Sequence, residues 1–155
     1  MTFTSLPAKK SYHLRRSFRQ RNHLMRTMVT QLIEHERIKT TLPKAELLRK
    51  YAEKMIAYAK REDSEAAKNK IKAFINTEFA KKKLVMEIAP RFKDKPSNFT
   101  RIVHLGKRRG DNAPMAYIEY IGNEIDKYEQ AMKRQDIENG VVVDKKEYGK
   151  KLLAQ

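Results

Sequence analysis

Leu32-Ile33-Glu34-His35-Glu36-Arg37-Ile38-Lys39-Thr40-Thr41-Leu42-Pro43-Lys44-Ala45 changes its periodicity twice. On its N-terminal side Leu24, Met28 and Leu32 recur at i, i+4, i+8 with Met25 and Val29 beside them, so a helix over about 20–36 has one apolar face that should dock on a core. Residues 38–41 are few and mostly β-branched, which suits a strand. Thr41 then stands where a helix cap belongs, and Pro43 falls in the first turn of the helix that follows. The stretch reads helix, strand, helix.

Outward from it the pattern continues. All five glycines fall at or after Gly106, so the earlier chain lacks the cheapest turn former and should be mostly helical. Ala45, Leu48, Ala52, Met55, Ile56 and Ala59 carry the second helical stripe, until Asp63 and Ser64 offer a new cap. A third helix holds Ile71, Phe74 and Ile75. Thr77 can cap a fourth, with Phe79, Leu84 and Ile88 inward and Pro90 as its end, because proline cannot donate into a helix. Residues 91–98 read as a basic loop. Residues 99–105 and 115–121 are rich in β-branched and aromatic types around a glycine-containing link, which predicts an antiparallel hairpin. Beyond Gly122 a helix over about 124–134 and an Asn139-Gly140 turn before Val141 are expected. The predicted architecture is α/β in the α+β sense: four helices on a small mixed sheet of about three strands. A basic arm (1–19) precedes the globular domain (20–121), and a partly helical extension (122–155) follows.

The 155 residues carry 35 Lys and Arg against 19 Asp and Glu, and the surplus is ordered along the chain. Residues 1–33 hold seven basic residues and no acid, residues 34–121 hold 21 against 12, and residues 122–155 hold seven of each. A block of like charge repels itself, so it calls for a polyanionic partner, of which nucleic acid is the commonest. No apolar run approaches the roughly 20 residues of a membrane span. The absence of cysteine excludes disulfides, thiolate metal sites and thiol nucleophiles. A secretory signal would need about 7–15 apolar residues behind the first charges, and none are there. The Ser- and Arg-containing, acid-free start also fits a mitochondrial transit peptide; composition does not separate that reading from an RNA-binding arm, which is preferred.

Three features bear on chemistry. In Gly106-Lys107-Arg108-Arg109-Gly110-Asp111-Asn112-Ala113-Pro114, glycines flank three cations, a pattern for a phosphate-contact loop or a solvated hairpin tip. It is no Walker cradle, since Gly110 is followed by Asp111 rather than Lys-Ser/Thr. The arm interleaves Lys9, Lys10, Arg15, Arg16, Arg19 and Arg21 with Tyr12, His13 and Phe18, whose rings either stack on splayed bases or pack on the body. His13, His23, His35 and His104 lack metal-ligand spacing and are read as structural or RNA-facing. No partnered nucleophile or carboxylate pair stands out, and Asp111 fits ordinary turn chemistry, so the chain is read as no enzyme, without cofactor, metal or small-molecule substrate.

The opening stretch and Arg109-Gly110-Asp111-Asn112-Ala113-Pro114-Met115-Ala116-Tyr117-Ile118-Glu119 both strongly resemble the bacterial-type large-subunit ribosomal protein of the L-seventeen family. Ala89-Pro90-Arg91-Phe92, Thr100-Arg101-Ile102, and Leu14, Arg16, Arg21, Arg26 and Met28 extend the resemblance over 9–121. It implies an α/β body on large-subunit ribosomal RNA near the polypeptide exit, with the basic arm threaded into the RNA. Carried over, Lys9, Lys10, Arg15, Arg16, Arg19 and Arg21 are the foremost RNA contacts; Lys39, Lys44, Arg91, Arg101, Lys107, Arg108 and Arg109 follow. The implied role is architectural, with cations screening phosphates. The first eight residues and everything after Gly122 have no counterpart in the short bacterial form, and the arm lacks a glycine near its start, which points to an organellar, mitochondrial ribosome; the alternatives are a bacterial cytoplasm or another organelle. The neutral tail, with Ile125, Tyr128 and Met132 on one helical face, is expected to meet a neighbouring ribosomal protein or fold back on its own core. A free-standing basic RNA- or DNA-binding regulator is the rival reading.

Overall fold

A computed structural model describes residues 13–61 and 64–123. The expected tail helix, Lys9, Lys10 and Tyr12 lie outside the described residues. The chain divides into two units, Met1–Tyr120 and Ile121–Gln155, and the architecture below is that of the first.

Helix α1 (Phe18–His35) starts earlier than its apolar stripe because Ser17 and Gln20 form a reciprocal capping box: each side-chain oxygen accepts the other residue's backbone N–H at 3.4 Å. Its buried face is Met25, Met28, Val29, Leu32 and Ile33. The helix ends where Glu36 turns left-handed, at φ 57°, and the chain reverses into β1 (Arg37–Thr41). Helix α2 (Leu42–Ala59) follows without a break. Thr41 occupies its N-cap but makes no side-chain hydrogen bond there, so Pro43, with φ preset for a first turn, is the start signal that operates. Ser64 caps α3 (Glu65–Phe74) by accepting from Ala67 N at 3.3 Å. Thr77 caps α4 (Glu78–Lys83) by accepting from Ala80 N at 3.4 Å, and its hydroxyl donates to Glu34 Oε1 at 2.6 Å, tying that cap to α1.

Two expectations for the fourth helix are corrected. Pro90 does not end it: a π-helical stretch (Leu84–Ile88) continues from α4, and α5 (Ala89–Arg91) carries Pro90 inside the run before Phe92 leaves it. Proline in an α-helix clashes with the carbonyl four residues back, and the widened turn, in which Ala89 N reaches Leu84 O, accommodates the ring. Phe79 does not face inward either. Ala80, Leu84 and Ile88 are the fully buried stripe, so Phe79 sits one step around the helix and is 64% exposed.

The hairpin forms as β2 (Thr100–Lys107) and β3 (Pro114–Tyr120). The sheet, expected to be mixed, is antiparallel throughout in the order β1-β3-β2: β1 returns from the helical half to pair with β3. A bulge between His104 and Gly106 lets Gly106, at φ 90°, close the register. One face of the sheet, with Thr40, Ala116, Ile118, Tyr120 and Thr100, is buried, and α2 lies against all three strands. Phe92 and Phe99, 5.2 Å apart between centroids, close the core beside the hairpin.

Tyr120 is fully buried, and among the described residues its hydroxyl has no hydrogen-bond partner. Burial, reinforced by the charge of Glu36, pushes the phenol above its ordinary range. Replacing the hydroxyl by hydrogen removes a desolvated polar group at little packing cost. Tyr120→Phe should therefore leave the urea midpoint unchanged or raise stability by about 1 kcal/mol. A clear fall in the midpoint would mean that the hydroxyl is satisfied after all.

Candidate nucleic-acid interface

Two carboxylates decide which cations are left to meet a polyanion. Glu36, at the left-handed end of α1, accepts Arg91 Nη1 at 2.7 Å and Nη2 at 3.3 Å, with Lys83 Nζ at 3.3 Å. Its carbonyl receives Tyr120 N at 3.0 Å, while Lys83 also donates to Glu34 O at 2.9 Å. Burial alone would raise this carboxyl, but hydrogen bonds and charge from Arg91 and Lys83 outweigh it and hold the group below the ordinary value of 4.5. A carboxyl depressed in the folded state contributes stability that is complete above its unfolded value and lost as pH falls through the folded value. The stability gap between the wild-type chain and Glu36→Gln should thus be widest near neutrality and shrink as pH drops below 4.5. Urea titrations at a series of acidic pH values check this; a constant gap would contradict it.

Glu119 is the second. Strand register sets Arg37 of β1 and Arg101 of β2 on either side of it, all three on the face of the sheet opposite α2. Arg37 Nε lies 3.3 Å from Oε2, and Arg101 reaches Oε1 through Nη2 at 2.6 Å and Nε at 2.8 Å. Arg37 also stacks over Tyr117, 4.2 Å from the ring centroid. Glu119 is only 1% exposed, so this carboxylate is held by paired guanidiniums rather than by solvent.

Arg91 and Arg101, both expected as RNA contacts, thus also hold the body together through internal carboxylates. Arg108 is likewise held at the hairpin tip. Its Nη2 and Nε lie 2.7 and 3.1 Å from the two oxygens of Asp111, whose Oδ1 also accepts Ala113 N at 3.3 Å. The Arg108 guanidinium, then the Ala113 N–H, bring the Asp111 carboxyl down to about 2. Asp111 is turn chemistry, as read from the sequence, and with Gly110 at φ 101° it fixes the tip so that Lys107 and Arg109 stand exposed.

The remaining cations segregate. Thr41, Met115 and Gly106 share one register level, so the start of α2 and the hairpin tip lie at the same end of the sheet. Lys44, Lys107 and Arg109 sit at that end, with Lys39 on β1, and none of the four makes an ion pair among the described residues. The carboxylates Glu36 and Glu119 lie at the opposite end. A second basic set gathers at the root of the arm: Arg15, Arg16 and Arg19 are exposed, and Arg21 donates to His13 Nδ1 at 3.2 Å and Arg16 O at 3.5 Å. An open groove of about 780 Å³ runs along the first turns of α1, lined by Arg16, Phe18, Arg19, His23 and Arg26 among others. Arg26 is fixed from the body, donating to Phe74 O at 3.2 Å.

The sequence reading missed Glu36 and Glu119 as organisers. The available signal was an acid at 119 in an otherwise uncharged strand. Among the described residues no helix is long and apolar enough to cross a membrane, and no group of side chains is placed to hold a metal ion.

A profile described as ribosomal protein L17 matches residues 24–121. The chain is 42% identical over 117 residues to large ribosomal subunit protein bL17m of Dictyostelium discoideum, an alignment covering 76% of this chain and 64% of that protein. To large ribosomal subunit protein bL17 of Desulforudis audaxviator it is 46% identical over 101 residues, covering 65% of this chain and 89% of the relative. To bL17 of Geobacter metallireducens it is 42% identical over 125 residues, covering 81% and 70%. With the profile matching well over half of the chain and these relatives at 42% to 46% identity, the chain belongs to the ribosomal protein L17 family.

Proposed function

We propose that the protein is a structural constituent of the large ribosomal subunit that binds ribosomal RNA near the polypeptide exit. The observation that carries the reading is the sorting of charge. Carboxylates at one end of the sheet are neutralised internally, while the other end and the arm root present cations that no acid pairs among the described residues, an arrangement that suits a phosphate-rich surface. The thirteen expected contacts then divide by role. Arg15, Arg16, Arg19, Arg21, Lys39, Lys44, Lys107 and Arg109 face RNA; Arg91, Arg101 and Arg108 position the surface through Glu36, Glu119 and Asp111; Lys9 and Lys10 extend the arm. The work is architectural rather than enzymatic.

The ribosome is proposed to be mitochondrial, supported by the relative whose name carries the mitochondrial suffix; bacterial bL17 proteins are equally similar, and a bacterial ribosome is the alternative. Residues 122–155, with balanced charge, are assigned to a neighbouring ribosomal protein. Sedimentation of a lysate in moderate salt tests the reading: the protein should travel with the large subunit of purified mitochondria. Recovery at the top of the gradient would favour a free-standing nucleic-acid binder instead. Deleting residues 122–155 should leave RNA affinity within about threefold, since that segment adds no net charge for phosphates to meet; filter binding measures it, and a large loss would assign the tail to RNA.

A further inference from the structure

The exposed rings and patches outside the ion-pair clusters include Phe79 and Met86 on the fourth helical run and Phe18 at the root of the arm. Phe18 is set apart by its surroundings. It is the first residue of α1 and 69% exposed, so it contributes little to the core that α1 builds. Its backbone is nevertheless fixed, because the Ser17–Gln20 capping box immediately surrounds it. One face of the ring is occupied by the Arg21 guanidinium, 5.7 Å from the centroid. That guanidinium is itself held by His13 and the Arg16 carbonyl. The groove beside the ring is lined by Arg16, Arg19, His23 and Arg26, and no acid occurs in the chain before Glu34.

We propose that Phe18 and Arg21 form a preassembled stacking platform for one unpaired RNA base, with Arg16 and Arg19 holding the flanking phosphates. The inference rests on the RNA-binding reading and sharpens it: the arm root selects a place where a base leaves its helix rather than a uniform duplex. An exposed aromatic whose backbone is fixed by a cap has less conformational freedom to lose on binding. A cation on its far face keeps the site electropositive, and a base adds a second stacking partner. A ring meant only to pack on the protein would be covered. A ring in a site for duplex phosphates alone would add nothing that arginine does not already supply.

The test uses the full-length chain and two synthetic RNA hairpins, one fully paired and one carrying a single unpaired fluorescent adenine analogue. The wild-type chain should prefer the hairpin with the unpaired base and quench its fluorescence. Phe18→Ala and Phe18→Leu should weaken binding to that hairpin by roughly five- to hundredfold and abolish quenching, with little change on the paired one. Phe18→Trp should retain both preference and quenching. Because the ring is exposed, all three variants should keep the wild-type thermal midpoint. Equal affinity of the wild-type chain for both hairpins, or a parallel loss on both in Phe18→Ala, would overturn the stacking platform while leaving RNA binding intact. Failure to bind either hairpin would overturn the RNA reading and this inference together.

Discussion

Glu119→Gln should lower the unfolding free energy by about 3 kcal/mol, the lower end of the cost of breaking a buried ion pair. The substitution preserves shape and one acceptor, so packing loss is small and the effect is electrostatic. What remains is Arg37 and Arg101 facing one another across β3 without the charge between them. Arg101 is 40% exposed and can turn partly to water, which relieves some of the penalty and sets the estimate at the low end. Small domains hold only about 5–15 kcal/mol in total, so the loss should be plain in urea denaturation followed by circular dichroism. Replacing Arg37, Glu119 and Arg101 together by leucine should recover most of the loss, because an apolar trio needs no desolvated charge. A loss below about 1 kcal/mol for Glu119→Gln would show the cluster to be as weak as a surface pair.

Much of the helical half was legible because its determinants are local. Ser64 and Thr77 cap α3 and α4 as their positions in the sequence imply, and the stripe from Ala45 to Ala59 is the buried face of α2. The errors are local too. Reading Phe79 inward put the stripe one residue out of phase, where Ala80 was the better match to Leu84 and Ile88. Pro90 reads as a stop because proline cannot donate into a helix, and the π turn that accommodates it leaves no clear trace in residue types. The hairpin was readable from two β-rich runs and a glycine loop. The partner of β1 was not, because pairing residues 37–41 with 115–119 is a long-range choice that no local pattern encodes.

The charge surplus of the candidate interface was legible in the sequence; which cations the chain's own carboxylates hold was not. Lys107 and Arg109 differ from Arg108 only because Asp111 lies three residues beyond Arg108 and bends back to it. Arg91 is claimed by an acid 55 residues away, and Arg101 by one that is its neighbour only across a strand. Counting cations therefore overstates the charge left without a carboxylate partner. The L17 motif stretches carry both kinds of residue, cations held by a carboxylate and cations without one among the described residues.

Replacing Arg15, Arg16, Arg19 and Arg21 together with alanine should make the salt dependence of RNA binding shallower by about three units of slope and weaken affinity at about 0.1 M salt by about a thousandfold. Each cation that neutralises a phosphate releases roughly 0.7–0.9 counterion, so removing four at one place takes away about three units of slope. The fold should not suffer. Arg15, Arg16 and Arg19 are exposed, and Arg21 bonds only to the arm and its own helix in the described contacts. Cations at a helix N-terminus also oppose its dipole, so removing them should leave the thermal midpoint unchanged or slightly raised. Filter binding across a salt series, paired with thermal melts of the same variant, separates the two roles. A midpoint falling by many degrees would make these arginines part of the scaffold, and an unchanged slope would move the phosphate contacts to the end of the sheet that holds Lys44, Lys107 and Arg109.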